Sequence, residues 1–110
     1  GVYSVSTPGH GGIMVRRELA EKIFRKEAMG CGFVEGGYLC FEEDCDAQVA
    51  LRELMDKKMI QAPVNEYFGP GAYEAVINSS VQIHHPEYWQ AREKAISEQK
   101  RQAKKKGRER

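Results

Sequence analysis

A histidine set among glycines and a short run of carboxylates are the residues of this chain best suited to do chemistry. His10 lies in Thr7-Pro8-Gly9-His10-Gly11-Gly12, and Glu42-Glu43-Asp44 runs directly into Cys45. Glycines on both sides let the backbone approach a partner closely and take up positive φ. An imidazole displayed there is suited to act as a general base or a ligand. A neighbouring carboxylate would fix its tautomer and favour the imidazolium. Used catalytically, the set would make a small hydrolase in which His10 works with Glu43 or Asp44. The same residues also have a structural reading. His10 would close a turn through a local hydrogen bond, and the acidic run would cap a helix and complement its dipole.

His84-His85-Pro86-Glu87-Tyr88-Trp89 is the other dense cluster. Two imidazoles, a phenol and an indole around a helix junction suit a protein contact, since Tyr and Trp are enriched at binding hot spots. The structural alternative makes Trp89 a core anchor and His85 a cap. His10, Glu42, Glu43, His84, His85 and Tyr88 are therefore the expected partner-contacting residues. Cys31, Cys40 and Cys45, with the three histidines, are soft or borderline metal ligands, but no C-x₂-C or H-x₃-H spacing joins them. No metal and no cofactor are expected. Three cysteines do not make a disulfide ladder, and reduced thiols are the simpler reading. Phosphate-binding glycine loops, the G-x-S-x-G elbow and H-E-x-x-H are absent from the sequence.

The elements that must position these groups follow from periodicity. Residues 2–6 alternate as a half-buried strand does, Pro8 to Gly12 breaks the pattern, and 13–15 suits a second strand closing a hairpin. Leu19, Ala20, Ile23 and Phe24 recur at helical spacing, which predicts a helix over 16–29 with a poorly capped start, ended by Gly30 and Gly32. Tyr38-Leu39-Cys40-Phe41 reads as a strand. Asp44 or Asp46 is placed to cap a helix whose stripe is Ala47, Ala50, Leu51, Leu54 and Met55. Leu51 and Leu54 are expected to be buried beneath the sheet with Ile23. Pro63 and Gly69-Pro70-Gly71 bracket a loop. Tyr73, Val76, Ile77, Ser80 and Ile83-His84 fit a helix face, although their β-branched content also allows a strand. Pro86 suits the first position of a last helix. The order β-β-α-β-α-α-α predicts a small α+β domain, with about three strands and helices on one face of the sheet. Residues 1–97 form one compact domain in this reading, and 98–110 form a basic tail, either a helix extension or disordered.

The net charge of +1 is unevenly spread. Residues 98–110 carry seven basic side chains against two acidic ones, so the rest of the chain is mildly acidic. Lys100, Arg101, Lys104, Lys105 and Lys106 are the expected nucleic-acid contacts, through phosphates. The tail has no aromatics to stack on single strands. No apolar run approaches the ~20 residues that span a bilayer, and no basic start leads into an apolar stretch. A cytoplasmic protein without membrane contact is expected.

A strand followed by T-P-x-H-G-G-I, a helix, then an aromatic strand running into E-E-D-C and another helix resembles an uncharacterised domain of phage, plasmid and integrative-element proteins. The resemblance covers roughly residues 2–58. This chain has Gly9 where those proteins carry Ser, and Phe41 where they carry Tyr. The resemblance supplies no reaction. It implies an accessory role for a mobile element in a bacterial host. The expected function is non-enzymatic inhibition of a host defence protein or ribonucleoprotein complex, in the manner of inhibitors of CRISPR effectors. The alternatives are a nucleic-acid-binding accessory protein using the basic tail, and the hydrolase outlined above.

Overall fold

In the computed structural model, the backbone is described for residues 2–7, 10–43 and 46–108, and side chains for 2–4, 11–43 and 46–104. The chain runs β1 (Val2–Thr7), β2 (His10–Arg16), α1 (Arg17–Ile23), α2 (Lys26–Met29), β3 (Phe33–Glu35), β4 (Tyr38–Glu42), α3 (Ala47–Asp56), α4 (Ala72–His84) and α5 (Pro86–Arg108). The fold is α+β, as the sequence predicts. The sheet has four antiparallel strands in the order β1-β2-β4-β3, one more than expected. The added strand, β3, has all three residues exposed, so it carries no apolar alternation to betray it. Gly36 and Gly37, at φ 57° and 82°, supply the positive φ values that a tight two-residue hairpin between β3 and β4 demands.

The predicted helix over 16–29 is broken. Phe24 and Arg25 are extended and separate α1 from α2. The break turns Phe24 inward against Phe41, with ring centroids 5.8 Å apart. It also frees the Arg25 amide to bond with α3. The poorly capped start is observed: Arg16 makes no side-chain cap, and the Arg17 amide donates to Gly37 O at 3.0 Å.

The strand register assigns faces. Val15 pairs with Leu39 and Ile13 with Phe41, and these four side chains meet the helices. Ala20, Phe24, Ala28, Val49, Ala50, Leu54, Met55, Ile77, Val81 and Tyr88 complete the core. Leu54 is buried as expected, but Leu51 and Ile23 are only half-buried at its edge. On α4 the inward stripe is Tyr73, Ile77 and Val81, at strict i, i+4 spacing, while Val76 and Ile83 face solvent. The predicted face was therefore misplaced around the helix. In the α3–α4 connection, Asn65 Oδ1 accepts from the amides of Tyr67 at 2.8 Å and Phe68 at 3.0 Å, an Asx turn. Phe68 then packs edge-on against Tyr73. α5 starts at Pro86 and continues through the basic tail to Arg108. Among the described residues, no helix is long and apolar enough to cross a membrane.

Candidate functional site

The sheet topology brings the two sequence signatures to one end of the fold. β2 and β4 pair from Arg16↔Tyr38 to Gly12↔Glu42, and beyond that pair the Glu43 amide donates to Gly11 O at 2.9 Å. The backbones of the His10-Gly11-Gly12 and Glu42-Glu43 segments are thus direct neighbours. Gly12 is required by this approach: a Cβ there would meet Phe41 O at 2.1 Å. The His10 side chain, Asp44 and Cys45 lie outside the described residues, as do the side chains of Lys105 and Lys106. Glu42 is exposed on the strand end.

From this end the chain turns into α3, with the Asp46 amide donating to Glu42 O at 3.1 Å. Asp46 does not cap α3 with its side chain. Its carboxylate instead meets His85, with Oδ1 2.8 Å from Nε2, across 39 positions of sequence. His85 sits at the α4–α5 junction, where its amide closes α4 on Val81 O and its carbonyl accepts from the Trp89 amide. The His85 ring therefore ties the N-terminus of α3 to that junction.

Beside this pair lies a cleft of about 530 Å³, bounded by α2 with the following Gly30-Cys31 and by the α4–α5 junction; Glu27, Cys31, His84, His85 and Glu87 line it. Cys31 bonds through Sγ to Glu27 O at 3.4 Å. Burial, and then the charges of Asp46 and Glu53, push its thiol up to about 11. At neutral pH it is a protonated thiol, without the thiolate a nucleophile requires. Among the described residues, no group of three or more His, Cys, Asp or Glu side chains is arranged to hold a metal ion.

Tyr88, expected as a contact residue, is a core residue. It is 3% exposed, and its hydroxyl donates to Glu53 Oε2 at 2.6 Å. Trp89 is half-buried and carries the Arg92 guanidinium 4.9 Å from its ring centre. His84 remains exposed.

Two features escaped the sequence reading. The first is an ionic network inside the helical layer. Glu53, 1% exposed, accepts from the Arg25 amide at 2.5 Å, from the Arg25 guanidinium and from Tyr88. Asp56 accepts from Arg25 at 2.8 Å and from Arg92 through two nitrogens at 2.8 and 2.9 Å, and it pairs with Arg52 at 3.0 Å. Arg52 continues to Glu74 and Asn78 on α4. Burial alone would raise the Asp56 carboxyl, but the guanidiniums of Arg92, Arg25 and Arg52 hold it below the ordinary carboxylate range. Burial and the Glu53 carboxylate push the Tyr88 phenol up. The network pins the α1–α2 break, α3, α4 and α5 to one another. Its side chains are committed to internal partners. Nothing in the i, i+4 pattern of α3 marked these charged residues as buried.

The second feature is the face of the sheet opposite the helices. By register Tyr3, Met14, Cys40 and Phe33 form one row across all four strands, and Arg16, Tyr38 and Glu35 form the next. Tyr3 packs edge-on against Tyr38, with centroids 6.0 Å apart. Tyr3 and Phe33 are 48% and 47% exposed; Cys40 between them is buried, but no residue of the row belongs to the cluster packed against the helices. Aromatic residues alternating with Val2, Leu39 and Val34 along the strands were the signal for it.

No curated protein and no solved structure matches the chain. One family profile matches residues 1–110, and the chain belongs to that family, a domain of unknown function (DUF7007).

Proposed function

We propose that this domain is a non-enzymatic protein-binding module whose contact surface is the open face of its sheet. The observation that carries the reading is the aromatic row. Tyr3 and Phe33 are half-exposed and Tyr38 lies between them, on a face that no helix of the described core covers. Large exposed aromatics grouped on a rigid sheet are the chemistry of binding hot spots. The fixed charges of the face, Arg16 against Glu35 and Glu42, leave it slightly acidic, which favours a protein over a phosphate backbone. The protonated Cys31 thiol and the internally committed ionic network offer no reacting group. The mobile-element setting that the two signatures resemble supplies the expected partner, a host defence protein or ribonucleoprotein complex inhibited by occlusion, as CRISPR effectors are inhibited.

The test is capture of a partner from a bacterial host by the tagged protein, identification by mass spectrometry, and assay of the captured complex with added protein. Inhibition at near-stoichiometric ratio is expected. The double substitution Tyr3→Ser with Phe33→Ser should abolish both capture and inhibition while leaving the melting temperature within a few degrees. Undiminished capture and inhibition by that folded variant would refute the assignment of the surface.

The hydrolase alternative draws support from one observation, the backbone contact between Gly11 and Glu43. His10→Ala separates the two readings. A protein-binding module shows no catalytic turnover in either form, whereas a hydrolase loses turnover.

A further inference from the structure

We infer that the C-terminal third of α5 is a docking surface for double-stranded nucleic acid, separate from the sheet face. The helix leaves the body well before it ends. Arg92 is its last buried position, Ile96 its last half-buried large apolar side chain, and Gln99 to Lys104 are all exposed. The helical backbone nonetheless continues to Arg108. These turns therefore stand free of the core that would ordinarily hold a short helix together.

The charges on this free segment are not scattered around it. At 100° per residue, Lys100, Lys104, Arg108, Arg101 and Lys105 fall at positions within an arc of about 140°. The opposite side holds Gln99, Gln102, Ala103 and Gly107, with Lys106. Glu98, which immediately precedes these turns, is paired with Arg101. The cationic face runs from Lys100 to Arg108, eight rises of 1.5 Å or about 12 Å along the axis. Like charges stacked at i, i+4 repel within a helix, so a polyanion that neutralises them relieves a cost already present in the free protein.

The shape and chemistry of the segment select among polyanions. A membrane-surface helix needs an apolar face opposite its basic one, and Gln99, Gln102, Ala103 and Gly107 do not make one. A groove that takes an amphipathic peptide needs the same anchors. Single strands are held by aromatic stacking, and this segment contains no aromatic residue. A straight cationic helix about 10–12 Å across fits the major groove of a duplex, about 12 Å wide, with phosphates along both walls. The contact is to phosphates, so it is independent of base sequence.

The experiment titrates the full-length protein into a fluorescein-labelled 20-base-pair duplex of arbitrary sequence and follows anisotropy from 50 to 200 mM NaCl. Five phosphate contacts give a log–log salt slope of about −4.5, or a loss of roughly 500-fold in affinity over that range. Lys100→Gln with Lys104→Gln and Lys105→Gln should flatten the slope by about 2.7. Lys106→Gln, on the opposite side, should change it by much less than one. Unchanged circular dichroism confirms that the variants remain folded. The inference is overturned by no binding at 50 mM salt, by a triple variant that binds like wild type, or by Lys106→Gln acting as strongly as a residue of the stripe. It is also overturned if anionic phospholipid vesicles, a poly-glutamate peptide or the separated single strand binds more tightly than the duplex.

Discussion

Replacing Asp56 by Asn removes one negative charge from among three guanidiniums and changes almost nothing else in shape. The carboxylate is 13% exposed and receives Arg92 in a two-nitrogen fork at 2.8 and 2.9 Å, Arg25 at 2.8 Å and Arg52 at 3.0 Å. Taking one partner from a buried ion pair costs about 3–5 kcal/mol, because the remaining charge is left without compensation in a poor solvent. Here Glu53 still serves Arg25 and Glu74 still serves Arg52, while Arg92 keeps only the exposed Glu93 at 3.1 Å, so Arg92 bears most of the loss. The amide oxygen of Asn also keeps one acceptor. The expected destabilisation is therefore near the lower limit, about 3 kcal/mol, which in a domain of this size lowers the melting temperature by roughly 12–24 °C. Urea titration of both forms measures it, and a double-mutant cycle with Arg92→Met should return a coupling above about 1 kcal/mol. The substitution should also change the acid limb of stability. Asp56 titrates lower in the folded than in the unfolded chain. Its contribution is therefore complete above the unfolded carboxylate value of about 3.9 and is lost as pH falls through the lower folded value. Asp56→Asn should flatten that part of the stability–pH curve. A loss below about 1 kcal/mol with an unchanged acid limb would refute the view that this carboxylate is the hub of the helical layer.

Leu54→Ala, at a position 2% exposed, should cost about 2–5 kcal/mol in denaturant titration, from lost transfer energy and a residual cavity. Gly12→Ala should destabilise by about 2 kcal/mol or more, because its Cβ meets the Phe41 carbonyl at 2.1 Å and strands β2 and β4 must part. Deleting residues 98–110 should shift the melting temperature by less than about 5 °C, since the deleted segment holds no large apolar side chain. Alkylation of Cys31 by iodoacetamide, followed by peptide mapping, should be slow at neutral pH and rise toward a midpoint near the raised thiol value of about 11.

The parts of the fold legible in the sequence are those whose side chains report burial directly. β1 alternates, the β2 and β4 segments hold short apolar runs, α3 carries a broad apolar stripe, and Pro86 marks the start of α5. The parts that were not legible depend on partners distant in sequence. β3 exists because the positive-φ pair Gly36-Gly37 folds it back onto β4, and its exposed side chains leave no periodicity. The Phe24-Arg25 break trades helical bonds for the Phe41 contact and for Glu53 on α3, 28 residues away from Arg25. The burial of Arg52, Glu53 and Arg92 follows from their meeting one another, and a helix taken alone reads each as solvent-facing.

The same distinction governs the candidate site. The imidazole–carboxylate pair expected at the sheet end, His10 with Glu43 or Asp44, involves side chains outside the described residues; the pair the structure shows is His85 with Asp46, between the N-terminus of α3 and the α4–α5 junction. Asp46 is one of two residues, with Asp44, that the sequence offers as the cap of α3, the ordinary role of an Asp preceding a helix, but a carboxylate can leave that role when a better donor is held beside it. The glycines of the first signature divide in a similar way. Gly12 is needed for the closeness of β2 and β4, and Gly11 contributes its carbonyl to the Glu43 amide, so both are accounted for by the packing of the sheet end. Such packing fixes backbone positions, but it does not by itself require an imidazole at position 10. A functional role at this end of the sheet would therefore have to be carried by His10 rather than by its glycines. For this reason His10→Ala, at an exchange that removes no backbone contact, separates an acting residue from a merely structural signature.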